Sequence, residues 1–377
     1  MTSRTMRASG RLLLAAGILL GLSGCVALLV RGGKRLYQAA TKPTVSAPAS
    51  TTGSAPAAVR AALEQAVRSG APGVTAIAMR DGRLLFRLDL GKIAPDAELP
   101  VASASKWMTA ALVMSVVDEG RLALDAPISR YLPDFTGEAG RITLRELLAQ
   151  TAGTGSLRDG VDIRQDPRMT LAESAAEVAH RPLQDPPGTV FRYGGPGFQV
   201  AGAAVEAVTG RRWADLFDER IARPLGMHHT RWEHLPAHGV SPQQTRNPLL
   251  QGGVVTTADD YMRFLTMLAQ HGRYGDRQIL SAQAVDAMEK VQTLGKPTAY
   301  RPPGARDGAT QYALGNWCER WTAAGDCTLV SSPGAFGTFP WIDRTSGTYG
   351  IFFVDSRLPK VAAYFYQARS AILAQTQ

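Results

Sequence analysis

The chain has 377 residues, 45% of them hydrophobic and 19% charged, enough apolar material for one large core or two interleaved ones. Its net charge of +9 sits mostly at one end: Arg4, Arg7, Arg11, Arg31, Lys34, Arg35 and Lys42 precede every acidic residue and leave +2 for the rest. A body so nearly neutral has no basic face to track phosphates, which sets nucleic acid aside as a partner.

Residues 12–30, LLLAAGILLGLSGCVALLV, form an apolar run flanked by those cations. This is a membrane-targeting arrangement, and two readings stay open. Residues 22–25, LSGC, resemble a bacterial lipoprotein signal, which would leave Cys25 as the lipidated N-terminus. Alternatively, the run is an uncleaved anchor helix, since 19 apolar residues can just span a bilayer. Either way, residues 1–30 are an export signal or anchor that places the rest outside the cytoplasm and tethers it to a membrane. Residues 31–57, rich in Ala, Ser, Thr and Pro from Tyr37 on, read as a tether with no capacity for a core. The folded domain is then expected over 58–377.

That domain opens on a helix with Val59, Leu63 and Val67 on one face, ended by Gly70. Two apolar runs follow on either side of Asp81–Gly82, a dipeptide suited to a tight hairpin. In VASASKWMTAALVMSVVDEG, residues 101–120, Ser103 stands three places ahead of Lys106 at the start of a helical pattern. Residues three apart share a helix face, so the Lys106 amine reaches the Ser103 hydroxyl. A serine is a poor nucleophile until a neighbour takes its proton, and a lysine can do so only if burial or nearby positive charge keeps it neutral. Chance would supply about 0.4 such pairs in a chain with this Ser and Lys content, so the spacing alone does not decide. Residues 107–290 read mostly as helix and loop. Cys318 and Cys327 lie on two strand-like pieces around Gly325–Asp326, and an oxidising compartment would join them in a disulfide. Near the C-terminus two strands turn at Ser346–Gly347, and a closing helix follows over 360–375. The fold class expected is α+β: an α/β sandwich whose antiparallel sheet is formed from both chain ends, plus a mostly helical insertion.

No G-x-S-x-G occurs, which argues against a nucleophile elbow of the α/β-hydrolase kind. No metal-ligand spacing occurs either, so no metal and no organic cofactor are implied.

Several segments in a shared order carry a resemblance across residues 58–355: the Ser103–Lys106 helix, RITLRELLAQTAGTG (141–155), PPGTVFRYGGPGFQVAGAAVEAVTG (186–210), RPLGMHHTRW (223–232), GGVVTTADDYMRFLTMLAQHG (252–272) and SPGAFGTFPWID (332–343). Together they resemble the serine β-lactamase-like family of class C β-lactamases, carboxylesterases and D-amino-acid peptidases. The resemblance implies a β-lactamase/transpeptidase-like fold and an acyl-enzyme on Ser103. Lys106 and Tyr193 would act as its base, and the backbone N–H groups of Ser103 and Ala335 as its oxyanion hole. Gly195, Ser332 and Gly334 would face the substrate.

Two departures stand out. The family's Y-x-N reads Tyr193–Gly194–Gly195 here, so an amide side chain that helps hold a substrate's acylamino group is gone. The usual K-T-G or H-x-G reads Ser332–Pro333–Gly334, with no cation for a substrate carboxylate. The expectation is a membrane-tethered hydrolase of a small-molecule ester or amide, with weak or no β-lactamase activity. The alternatives are a D-amino-acid peptidase of cell-wall peptides and an inactive envelope binding protein. Specificity is expected in loops near 155–170, 239–252 and 292–311.

Overall fold

Both ends of the chain meet in one antiparallel sheet. In chain order its strands are β1 (Thr51–Thr52), β2 (Gly73–Arg80), β3 (Arg83–Gly91), β4 (Gln311–Tyr312), β5 (Trp317–Trp321), β6 (Cys327–Ser331), β7 (Phe339–Asp343) and β8 (Thr348–Phe353), arranged β1-β3-β2-β8-β7-β6-β5-β4. The structure, a computed structural model, describes residues 51–155, 166–235, 239–303 and 310–376, all within the unit Pro43–Gln377. The expected signal or anchor, Cys25 and the tether up to residue 50 lie outside the described residues. No helix among the described residues is long and apolar enough to cross a membrane.

The central strands are buried on both faces, so they read as continuous apolar runs instead of alternating ones. The two-residue period still sorts their side chains. Tyr349, Ile351 and Phe353 of β8 join the core under the helical region. Phe352 joins the opposite core, with the helices Ala57–Arg68 and Leu358–Leu373. There Phe352 stacks on Phe365 with centroids 4.9 Å apart, and each such buried side chain contributes about 2 kcal/mol. The β2–β3 hairpin turns where the sequence places it: Asp81 and Gly82 have φ of 49° and 80°, the left-handed pair that two-residue hairpins need.

The tether ends earlier than composition suggested. Thr51 and Thr52 already pair with Leu88 and Arg87 of β3. The pairing is made by main chain, which demands no apolar side chain and leaves no mark in composition.

On the other face lies the helical region, around the helix Ser105–Asp118. Every residue from Ser105 to Val116 on this helix is buried, as expected of a helix that is apolar all round. Its N-terminus lies against the segment that follows β6. Cys318 and Cys327 form the expected disulfide, with Cα atoms 5.5 Å apart.

Candidate active site

Ser103 sits in a single 3-10 turn, Ala102–Ala104, that runs directly into the helix Ser105–Asp118. Ala102 has φ of 45°, a region costly for a residue with a β-carbon, so it persists only where neighbours over-determine it. They do. Ser105 Oγ donates to Ala102 O at 2.7 Å and accepts from Val254 N at 3.0 Å, while Tyr261 Oη donates to Ala104 O at 2.7 Å. The turn leaves Ser103 half-buried, at a helix start where backbone N–H groups lack intrahelical partners.

One turn on, Lys106 is 2% exposed. Its Nζ lies 3.2 Å from Ser103 Oγ and donates to Gln251 O at 2.8 Å. The rings of Tyr193 and Phe198 lie 4.8 and 5.4 Å away. Burial disfavours the charged amine and pulls its pKa down to about 7. In the neutral amine the contact reverses: the Ser103 hydroxyl donates to the nitrogen lone pair.

Tyr193 follows the short strand Phe191–Arg192 and precedes the helix Pro196–Thr209. Its hydroxyl is hydrogen-bonded with Ser103, and burial raises its pKa well above the ordinary tyrosine value, so it is a phenol at neutral pH. The ring stacks on Trp317 at 5.4 Å and meets Tyr312 edge-on at 5.9 Å. Gln150 steadies the next residue. The capping box of Thr143 and Glu146 starts the helix Leu144–Ala149, which ends with Gln150 at φ 60°. The Gln150 carboxamide then accepts from Gly194 N. Ser103, Lys106 and Tyr193, expected from sequence, are thus in mutual contact.

Gly334 lies directly against the nucleophile's turn. A β-carbon there would come within 2.0 Å of Val101 O, so the close approach that calls for glycine is to the protein's own backbone. The next residue, Ala335, is exposed, and its N–H donates to no described backbone carbonyl. Ser332 is 3% exposed and turns inward, with its Oγ 3.4 Å from both Ser103 O and Gly315 O. Gly195 caps the helix Pro196–Thr209, and the side chain of Gln251 fills the space beside it. Sequence reasoning did not single out Gln251, Gln150 or Trp317. The only signal for Gln251 was its place in the 239–252 loop expected to carry specificity.

The arrangement can transfer a proton from a serine hydroxyl to a buried amine and present N–H groups to a developing oxyanion. Among the described residues no group of three His, Cys, Asp or Glu side chains could hold a metal ion.

The family model described as Beta-lactamase matches residues 59–372. Esterase EstB of Burkholderia gladioli is 33% identical over 182 residues, 41% of this chain and 45% of the esterase. D-alanyl-D-alanine-carboxypeptidase/endopeptidase AmpH of Escherichia coli (strain K12) is 25% identical over 273 residues, 62% of this chain and 71% of that protein. The chain thus spans less than half the length of the esterase it matches. Among solved structures, a putative beta-lactamase from Bacteroides dorei superposes with a TM-score of 0.74 at 30% identity, covering 85% of this chain and 99% of that one. The D-amino acid amidase of Ochrobactrum anthropi shares the fold, with a TM-score of 0.65 at 21% identity, covering 85% of this chain and 99% of that one.

Proposed function

The chain belongs to the beta-lactamase family, and on that premise we propose that it is an acyl-serine hydrolase of a small ester or amide. The observation that carries this reading is the buried Lys106 amine, with a pKa near 7 and lying 3.2 Å from Ser103 Oγ. Ser103 Oγ attacks the substrate carbonyl carbon as its proton passes to Lys106 Nζ. The resulting oxyanion is met by the N–H groups of Ser103 and Ala335. Tyr193, hydrogen-bonded with Ser103, relays the proton to the leaving oxygen or nitrogen. The carbonyl–leaving-group bond breaks, and the acyl group stays on Ser103 as an ester. Water, activated by the same amine, then releases the acid and restores the serine.

Esterase-like substrates suit the site better than carboxylate-bearing ones, because Ser332 replaces the cation of the third motif and its hydroxyl is engaged with backbone carbonyls. β-Lactamase activity is weak or absent on this reading. The protein is exported and held at a membrane by its N-terminus, through lipidated Cys25 or through an apolar helix. The apolar run at 12–30 and the disulfide support that placement.

The test is covalent labelling of the full-length protein with a fluorophosphonate, read by intact mass and peptide mapping. A single adduct on Ser103 that disappears in Ser103→Ala is expected. No adduct on the folded protein would contradict the enzymatic reading and favour an envelope binding protein.

A further inference from the structure

Gly195 has no side chain, yet the space in front of it is filled. A β-carbon on Gly195 would lie 2.8 Å from Gln251 Cδ and 2.9 Å from its Cγ and Nε2. Gln251 comes from a different part of the chain, the loop ahead of the short strand Val254–Thr256. It is firmly placed. Leu250 N donates to Gln199 Oε1 at 2.7 Å, Thr109 Oγ1 donates to Leu250 O at 2.5 Å, and Gln251 O holds Lys106 Nζ at 2.8 Å. Gly195 is two residues beyond Tyr193. The carboxamide is therefore wedged between the segments that supply Lys106 and Tyr193.

The residue is 5% exposed, and its Oε1 is buried without a hydrogen-bond partner. A buried amide oxygen left unpaired costs free energy that an apolar side chain of the same shape would not. Nothing in the packing requires an amide there. A group that enters the cleft and carries an N–H would supply the missing partner. A secondary amide fits best, because the carboxamide offers an acceptor and two donors, and a secondary amide offers the complementary N–H and C=O.

We infer that Gln251 is the specificity residue that reads an acylamino group on the acyl side of the substrate, in the place that the Gly195 side chain leaves vacant. This rests on the acyl-serine reading above and deepens it. The site takes N-acylaminoacyl donors in preference to plain alkyl acyl donors, although its tyrosine motif lacks an asparagine.

The test compares two thioesters of one thiol, N-acetylglycyl and pentanoyl, which match in chain length and differ in the amide. Thiol release by the full-length protein gives kcat/KM for each, and the ratio cancels damage common to both. The wild type should favour the N-acetylglycyl donor. Gln251→Leu should lower that preference at least about tenfold, the usual consequence of losing a buried hydrogen bond to substrate. In the Gln251→Ala background, Gly195→Asn should restore the preference to within about threefold, because each change makes room for the other. Gly195→Asn alone should lose activity, since its side chain collides with Gln251.

A preference unmoved by Gln251→Leu, with both donors falling together, would overturn the inference, as would a wild type that turns over both thioesters without preferring the amide. A wild type that consumes neither and takes no fluorophosphonate would overturn the acyl-serine reading, and this one with it.

Discussion

The turn that carries Ser103 and the wall at Gly195 are a few residues apart in space and are built differently. In the turn, the strained Ala102 carbonyl, the Ala104 carbonyl and the Ser105 hydroxyl all have partners at 2.7 to 3.0 Å. At the wall, a buried amide oxygen of Gln251 has none. Satisfied polar groups fix a geometry, while an unsatisfied one waits for a ligand. The turn holds the reacting atoms in place regardless of substrate, and the wall is where the substrate completes the structure.

Substitutions can break or sharpen this contrast. The largest effect is expected on the turn's side: Lys106→Met should slow acylation about 10³-fold or more, measured as the burst of p-nitrophenol from an aryl ester. A loss under tenfold would mean that another group takes the proton. Next comes Gly334→Val, whose β-carbon meets Val101 O at 2.0 Å. It should destabilise the fold by about 3 kcal/mol, read from urea unfolding, because backbone cannot step aside as a side chain can. Tyr193→Phe keeps the ring stacked on Trp317 but loses the hydroxyl, and should cost about 10²-fold in the same burst assay. Ser332→Ala should have the smallest effect, under about 1 kcal/mol in stability, since its two contacts are both 3.4 Å long. A large loss of turnover there would show that Ser332 turns outward to the substrate.

How much of this was legible in the sequence follows the same divide. Ser103, Lys106 and Tyr193 were legible because catalysis fixes residue types at fixed spacing on local structure. The hairpin at Asp81–Gly82 was legible because few residues tolerate two successive positive φ values. The pairing of Thr51 and Thr52 with β3 was not, because main-chain hydrogen bonds carry no residue signature. Gln251 was not, because its significance depends on an empty place beside Gly195, 56 positions earlier in the chain. The sequence shows the missing asparagine but not the side chain that fills its space. Gly334 was legible as a glycine needed for close approach, but the partner in that approach is Val101, which only the fold reveals.

The central claim is that a buried, neutral Lys106 activates Ser103, and the pH dependence of acylation tests it most directly. The folded-state pKa is lowered from 10.5 to about 7, so the amine gains its lone pair as pH rises through 7, not through 10.5. The single-turnover acylation rate with an uncharged aryl ester should therefore climb between pH 6 and 8, reach half its maximum near pH 7 and stay flat above, a profile that Lys106→Met abolishes. A rate that keeps rising tenfold per pH unit up to pH 10, or one indifferent to pH across the whole range, would contradict the account.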